Sequence, residues 1–174
     1  MRRFLPLLPV VALAALAALF WAYSLKKSDP QVQPNALIGK PLPTKAWAPL
    51  EGGPPTQTTP LLGGKPGLVN VWFSYCAPCI IESPQLMKLK QAGVNIVGVT
   101  WMDEPGNSQA FLDKYGNPFS RVLVGGEDSS VEFGITAAPE TFIVNSKGMV
   151  VDKHVGIITD VDVPKLVKEV QSLD

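Results

Sequence analysis

The two cysteines of this chain lie close together, in the tetrapeptide Cys76-Ala77-Pro78-Cys79. A continuous apolar segment at 67–73 precedes them, and a helical pattern at 77–91 follows. A buried strand that leads directly into a helix is the first half of a βαβ unit, which requires a sheet with parallel strands. A Cys-x-x-Cys at that junction is typical of a redox-active dithiol. The motif therefore predicts an α/β fold with a reactive cysteine pair at a helix N-terminus.

From residue 38 onward the chain alternates between strand and helix patterns. Further strands are predicted at 94–101, 121–124, 141–144 and 150–155. Further helices are predicted at 105–115, at 129–133 and from Thr159 or Asp160 to about Ser172. A Gly- and Pro-rich region before the first buried strand predicts an edge strand near 46–49 and a helical turn at 59–62. This order predicts a mixed sheet with helices on both faces.

The N-terminus carries twenty residues without a charge, from Phe4 to Tyr23. At ~1.5 Å per residue, a helix of this length crosses a hydrocarbon core of ~30 Å. A cleaved signal peptide is the alternative, but its apolar core is only ~7–15 residues long. We therefore expect an uncleaved transmembrane helix, with Arg2 and Arg3 on the cytoplasmic side.

The expected organisation has three parts. They are an anchor with flanking charges at 1–27, a polar tether at 28–37 and one α/β domain at 38–174. An N-terminal anchor of this kind leaves the rest of the chain outside. The sequence thus predicts a single-pass protein of the bacterial inner membrane with a periplasmic domain.

Composition limits the remaining function classes. Fifteen basic and fifteen acidic residues balance, so nothing indicates a nucleic-acid partner. A structural zinc site needs about four ligands, whereas the chain has two cysteines and a single histidine, His154. We therefore expect no metal and no cofactor besides the dithiol itself.

The chemistry expected of the pair is thiol–disulfide exchange. Only a thiolate attacks a disulfide, and a helix N-terminus favours the anion. Cys76 is therefore predicted to attack, and it should lie within reach of water. Cys79, one turn further along, is predicted to resolve the mixed disulfide.

Glu82 lies three residues after Cys79 and shares its face of the helix. Leu86 and Leu89 continue the same stripe, so a carboxylate there is costly without a function or a partner. We predict a carboxyl with a raised pKa that takes the Cys79 proton, directly or through a water. An outward glutamate paired with a lysine such as Lys88 is the alternative.

Pro139 opens a later strand within Ala138-Pro139-Glu140. A cis bond there would leave backbone groups beside the dithiol free to pair with a substrate strand. An ordinary trans turn fits the same residues, and the pattern does not distinguish the two.

Together these residues resemble the thioredoxin superfamily, over about residues 41–173. Within it, the chain resembles the membrane-anchored thiol–disulfide proteins of cytochrome c maturation, the CcmG/DsbE family and its TlpA/ResA-like relatives. The segments that carry the resemblance are Leu68-Val69-Asn70-Val71-Trp72, Cys76-Ala77-Pro78-Cys79, Glu82 with Pro84, Gly98-Val99 with Asp103, Gly116-Asn117-Pro118-Phe119 and Ala138-Pro139-Glu140-Thr141-Phe142.

The resemblance implies specific roles. Pro139 would be a cis-proline, and Asn70 stands where ordinary thioredoxins carry a buried aspartate, which leaves Glu82 as the acid–base group. Asp103 and Glu140 would lie in an acidic groove beside the dithiol. The other residues assigned to this substrate groove are Trp72, Tyr75, Ala77, Pro78, Trp101 and Ala138.

The implied reaction is reduction of the disulfide in a Cys-x-x-Cys-His haem site of apocytochrome c. A membrane dithiol donor would then re-reduce the protein, and other cytochrome c maturation proteins are further expected partners. The chain departs from the family pattern at Phe73, Tyr75, Trp101 and Ala137. All four are expected near the groove, so they bear on partner specificity.

Three alternatives remain open from the sequence. The first is a related periplasmic reductase or oxidase with other clients, because sequence does not give a reduction potential. The second is a membrane-tethered copper chaperone that uses Cys76, Cys79 and His154. The third is a Cys–His hydrolase built on Cys76 and His154, which oxidation by Cys79 would inactivate.

Overall fold

The computed structural model describes residues 12–20 and 36–173. The chain divides into two compact units, Met1–Val32 and Gln33–Asp174. In the first unit, residues 12–20 form an exposed helix, α1. No helix within the described ranges is long and apolar enough to cross a membrane. The predicted span at 4–23 and tether at 28–37 lie largely outside the described residues.

The second unit is built on one six-stranded sheet. The strands are β1 Ala48–Pro49, β2 Gly67–Trp72, β3 Ile96–Trp101, β4 Arg121–Gly125, β5 Glu140–Val144 and β6 Val150–Val155. They lie in the sheet in the order β1-β4-β3-β2-β5-β6. The central strands β2, β3 and β4 are parallel, whereas β1, β5 and β6 each pair antiparallel with their neighbours.

Five helices accompany this sheet in the described part of the second unit. They are α2 Thr58–Leu61, α3 Ala77–Gln91, α4 Pro105–Tyr115, α5 Glu127–Phe133 and α6 Val163–Gln171. The bounds of α3 and α4 are those that the sequence predicts. The predicted start of α6 is wrong, because Asp162 accepts hydrogen bonds from the backbone and hydroxyl of Thr159 and closes a turn before the helix.

The sheet separates two hydrophobic clusters. Leu68 and Trp72 of β2 face the cluster that contains Leu86 of α3, Phe111 of α4 and Leu166 of α6. Val69 and Val71 of β2 face the opposite cluster, which includes Phe133 of α5. Every residue of β2 is buried, as expected for a strand covered on both faces. The predicted mixed sheet with helices on both faces is confirmed.

The topology brings three loops to one edge of the sheet. Because β2 and β3 are parallel, the loops that follow them leave at the same edge. Because β5 is antiparallel to β2, with Glu140 opposite Val71, the loop before β5 arrives there as well. The Cys-x-x-Cys, Asp103 and Pro139 belong to these three loops or adjoin them.

Candidate active site

Cys76 and Cys79 form a disulfide at the start of α3. Cys76 is the N-cap residue, and its Sγ accepts a hydrogen bond of 3.1 Å from the backbone N–H of Cys79. Pro78 lies in the first turn, where its missing N–H has no helical partner to lose. The predicted position of Cys76 at a helix N-terminus is confirmed, so the free N–H groups and the helix dipole favour its thiolate.

Both sulfurs are less accessible than the sequence suggests. Cys76 is only 3% exposed and Cys79 only 2%. The Sγ of Cys76 lies 3.6 Å from the carbonyl oxygen of Ala138. The prediction that Cys76 lies within reach of water is therefore wrong for this disulfide form. Its neighbours Tyr75, Ala77 and Pro78 are exposed.

Asp103 holds two of the three loops together. Its carboxylate accepts hydrogen bonds from the backbone N–H and the hydroxyl of Ser74, both at 2.8 Å. It also accepts from the hydroxyl of Ser108 at 2.7 Å and from the backbone of Glu104 at 3.0 Å. The half-buried Asp103 thus ties the loop before Cys76 to the first turn of α4. The two serines were not predicted as partners of Asp103.

An aromatic cluster lies beside the disulfide. Tyr75 is 67% exposed, and its hydroxyl donates a 3.2 Å hydrogen bond to the carbonyl of Met102. Phe73 packs on Tyr75 at a centroid distance of 4.4 Å and edge-on to the half-buried Trp101 at 5.9 Å. Met102, which the sequence did not indicate, is half exposed and has a left-handed φ of 52°.

Trp72 is not a groove residue. It is 1% exposed and lies between Phe111 and Phe119, with ring centroids 4.8 Å and 5.6 Å away. The assignment to the groove is therefore corrected, because its side chain points into the core beneath α3. It does line a small cavity beside Cys79.

Glu82 is fully buried one turn after Cys79. Its Oε1 accepts a 3.0 Å hydrogen bond from the amide of Asn70, and its Oε2 accepts one of 3.1 Å from the backbone of Ile158. Burial raises the pKa of Glu82 to about 7, against these two hydrogen bonds, which lower it. An outward glutamate paired with Lys88 is excluded, since Lys88 pairs with Asp160 instead. The carboxyl is therefore buried and has a pKa suited to proton transfer near neutral pH.

The Ala138–Pro139 peptide bond is cis, as the resemblance implies. The carbonyl of Pro139 accepts a 2.9 Å hydrogen bond from Gly156, so this group is already paired within the chain. Ala138 is half-buried, and its carbonyl is the one that approaches Cys76. The loop before β5 thus lies directly against the sulfur of Cys76.

Glu140 does not present its carboxylate to a groove. It is 1% exposed and forms an ion pair of 2.5 Å with Lys153, which is itself buried against the ring of Phe142. Burial raises the pKa of Glu140, and the partner lysine opposes this rise. The expected acidic contribution of Glu140 to the groove is therefore corrected. No sequence signal identifies Lys153 as its partner.

His154 is not brought to the cysteines. Its Nε2 lies 3.3 Å from the carbonyl of Ile157. Among residues 12–20 and 36–173, no three His, Cys, Asp or Glu side chains are grouped as metal ligands. The copper-chaperone and Cys–His hydrolase hypotheses consequently lack the histidine that each requires.

The Redoxin family model matches residues 37–170. The chain belongs to this family. It is 35% identical to the thiol:disulfide interchange protein HelX of Rhodobacter capsulatus, over 92% of this chain and 91% of that protein. It is 38% identical to DsbE of Pseudomonas fluorescens and 34% identical to DsbE of Escherichia coli, both named thiol:disulfide interchange proteins, with 89% and 87% of their lengths covered. The protein is a thiol:disulfide oxidoreductase of the DsbE/HelX type.

Solved structures show the same fold. MTB dsbF, known in mixed oxidised and reduced forms, superposes with a TM-score of 0.64 at 27% identity, over 75% of this chain and 96% of that one. A thioredoxin family protein from Chlorobium tepidum superposes with a TM-score of 0.61 over 82% of this chain and 99% of that one. At 22% identity the latter shows the fold alone. The predicted thioredoxin-like architecture of the second unit is thus confirmed.

Proposed function

We propose that this oxidoreductase reduces the disulfide in the Cys-x-x-Cys-His haem site of apocytochrome c. The observation that carries the proposal is the Cys76–Cys79 pair at the cap of α3, with the buried carboxyl of Glu82 one turn further along. The 34–38% identity to HelX and DsbE proteins supports a shared reaction.

The proposed reaction has two displacements. In the reduced protein, the Cys76 thiolate attacks one sulfur of the client disulfide and releases the other client sulfur as a thiolate. Cys79 then loses its proton to Glu82 and attacks Cys76. This step breaks the mixed disulfide, releases the second client thiolate and leaves the Cys76–Cys79 disulfide. The carbonyl of Ala138 lies against Cys76, and Ala138 with the cis-proline Pro139 that follows it would position the client backbone.

We propose that client contacts come from the exposed or half-buried residues around the pair. These are Tyr75, Ala77, Pro78, Trp101, Met102 and Ala138. Asp103 contributes by fixing the loop that carries Tyr75. A membrane dithiol donor would restore the reduced pair, and other cytochrome c maturation proteins are further proposed partners. The reaction needs no cofactor besides the dithiol.

Capture with Cys79→Ser tests the client. Without its resolving thiol, the full-length protein should retain clients as mixed disulfides on Cys76, and apocytochrome c should be among them. Cys76→Ser is the matched control, because it leaves one cysteine but removes the attacking one. Reproducible capture of other proteins without apocytochrome c would favour a related reductase or oxidase with different clients.

We further propose that residues 1–27 anchor the protein in the bacterial inner membrane and that residues 28–37 tether a periplasmic domain at 38–174. The uncharged run of twenty residues at 4–23, preceded by Arg2 and Arg3, supports this. Ser146 lies exposed in the turn between β5 and β6. In spheroplasts, Ser146→Cys should react with a membrane-impermeant maleimide, and Arg2→Cys should react only after lysis. The reverse pattern would refute this topology.

A further inference from the structure

An open cleft, here called the α4 cleft, lies beside the disulfide, between the loop that precedes Cys76 and one face of α4. Its volume is about 380 Å³, within the range of ~300–1,000 Å³ that is usual for ligand pockets. The loop and the helix line it with Ser74, Tyr75, Asn107, Phe111, Lys114 and Tyr115. The helix side of this cleft has no role in the two displacements of the proposed reaction.

The topology places the α4 cleft on the far side of Cys76 from the cis-proline loop. Because β2 lies between β3 and β5 in the sheet, the loop after β3 and the loop before β5 flank Cys76 on opposite sides. The carbonyl of Ala138 approaches Cys76 from one side. On the other side, Asp103 binds both Ser74 and Ser108, which holds the start of α4 next to the loop before Cys76. A client joined to Cys76 and paired with Ala138 would therefore extend toward α4.

The helix side of the cleft is aromatic and carries one positive charge. Asn107, Phe111 and Lys114 recur at helical spacing and share one face of α4. The rings of Phe111 and Tyr115 pack at a centroid distance of 4.9 Å. The Nζ of Lys114 lies 5.0 Å from the centre of the Tyr115 ring, a cation–π contact that keeps the ammonium beside the cleft. Among the described residues, no carboxylate lines the α4 cleft, so it offers aromatic faces, an amide and an ammonium donor.

A second open cleft nearby has the opposite character. It lies beside Met102, has a volume of about 470 Å³ and is lined by the carboxylates of Asp103, Glu104 and Glu127. A cationic side chain would be attracted to that cleft and repelled by Lys114. The α4 cleft instead suits a flat, neutral ring that accepts a hydrogen bond. A neutral imidazole has both properties, whereas a phenyl ring has no acceptor and an indole only donates.

We propose that the α4 cleft binds the histidine of the client's Cys-x-x-Cys-His segment. The imidazole stacks on the tyrosine rings of the cleft and accepts a hydrogen bond from the Lys114 ammonium. The histidine follows the second client cysteine by one residue and the first by four. At ~3.3 Å per residue, it therefore lies within ~13 Å of whichever client sulfur is bonded to Cys76. The cleft distinguishes a haem-site disulfide from other disulfides, and this inference rests on the proposed function.

A comparison of protein variants with two kinds of peptide tests the proposal. Client peptides retain one cysteine each, as Cys-x-x-Ser-His or Ser-x-x-Cys-His, and that cysteine forms a mixed disulfide with thionitrobenzoate. The Cys76 thiolate of the reduced full-length Cys79→Ser protein attacks the peptide sulfur and releases thionitrobenzoate, whose absorbance gives the rate constant. Counterpart peptides carry alanine in place of histidine. Because histidine also alters the reactivity of the peptide itself, the readout is the His/Ala rate ratio compared between protein variants.

Two substitutions in the Cys79→Ser protein should lower this ratio. Tyr115→Leu should lower it about fivefold, the usual effect of one aromatic pair. Lys114→Gln should lower it about threefold, because an exposed hydrogen bond to the imidazole is lost. If both variants keep the ratio of the parent protein with both peptides, the proposal is refuted. Lys114 is exposed, so Lys114→Gln decides the question even if Tyr115→Leu does not fold.

Lys168→Gln is the matched control for Lys114→Gln. It removes an exposed lysine from α6 instead of α4 and should leave the His/Ala ratio unchanged. An equal fall of the ratio in both lysine variants would show a general effect of charge and would also refute the cleft as the binding site.

The capture experiment keeps this proposal separate from the proposed function. If Cys79→Ser captures apocytochrome c but the cleft variants keep the parent ratio, the proposed function stands and the histidine site fails. If apocytochrome c is not captured but both cleft variants lower the ratio, the proposed client is wrong and the cleft still recognises an imidazole near a client cysteine.

Discussion

The titration of Glu82 should make the free energy of unfolding of this protein depend on pH between about 4.5 and 7. Burial moves the pKa of Glu82 from 4.5 to about 7. One pKa unit corresponds to about 1.4 kcal/mol. The free energy of unfolding should therefore fall by about 3 kcal/mol as the pH rises from below 4.5 to above about 7. The folded state holds the proton more tightly than the unfolded chain. The stabilisation of the folded state by the protonated Glu82 carboxyl is therefore fully present below pH 4.5 and is lost as the pH rises through about 7.

Comparison with Glu82→Gln isolates this effect. Glutamine has a similar shape but does not titrate, so pH effects of all other groups cancel in the difference between the two proteins. Urea unfolding of both disulfide forms, at intervals from pH 4 to pH 8, measures that difference. The wild type should lose about 3 kcal/mol relative to Glu82→Gln across this range.

The sign of the change is as diagnostic as its size. A glutamate stabilised as an anion, for example by a nearby cation, would make the wild type more stable with rising pH. A difference between the two proteins that stays constant from pH 4 to pH 8, or that favours the wild type at high pH, would refute the conclusion that burial dominates the pKa of Glu82. It would also remove the reason to regard this carboxyl as a base poised near neutral pH.

Two further predictions concern the groups that hold the site in place. Asp103→Ala should lower the free energy of unfolding by about 2–3 kcal/mol, because several buried or half-buried donors lose their acceptor. Asp113→Ala, which removes an exposed aspartate of α4, should change it little, and equal effects in urea unfolding would contradict the bracing role of Asp103. Lys153→Met should cost about 3 kcal/mol, since it leaves the Glu140 carboxylate buried without its partner. Lys88→Met breaks an exposed pair and should have no measurable effect; a similar loss in both lysine variants would argue against a special buried pair.

Local signals in the sequence were sufficient to place α3, with Cys76 at its start and Glu82 one turn after Cys79. Pro78 suits the first turn of a helix, and together with the helical pattern at 77–91 it indicates where α3 begins. The three-residue spacing from Cys79 then places Glu82 on the same face as the resolving sulfur. Both inferences depend on neighbours within one helix, where the geometry is fixed by the chain itself.

The residues that were misplaced depend on contacts between distant segments. A strand that is buried on both faces does not reveal which of its side chains approach the surface at its end, so Trp72 could not be separated from the groove. Its stacking partners Phe111 and Phe119 come from segments about forty residues further along. The burial of Glu140 likewise depends on the register of β5 against β6, which brings Lys153 beside it. Such long-range pairing cannot be inferred from one sequence without knowledge of the fold.

The antiparallel pairing of β2 with β5 explains why β5 and the loop before it lie beside the groups that act in both steps of the proposed reaction. Asn70 and Thr141 lie opposite each other in this register and share a hydrogen bond. The same Asn70 amide holds Glu82, the group beside Cys79. Three residues before Thr141, the carbonyl of Ala138 approaches the sulfur of Cys76. Because β5 fixes both contacts, in the proposed reaction a client that paired with the loop before β5 would be aligned with the sulfur of Cys76 and with the carboxyl beside Cys79.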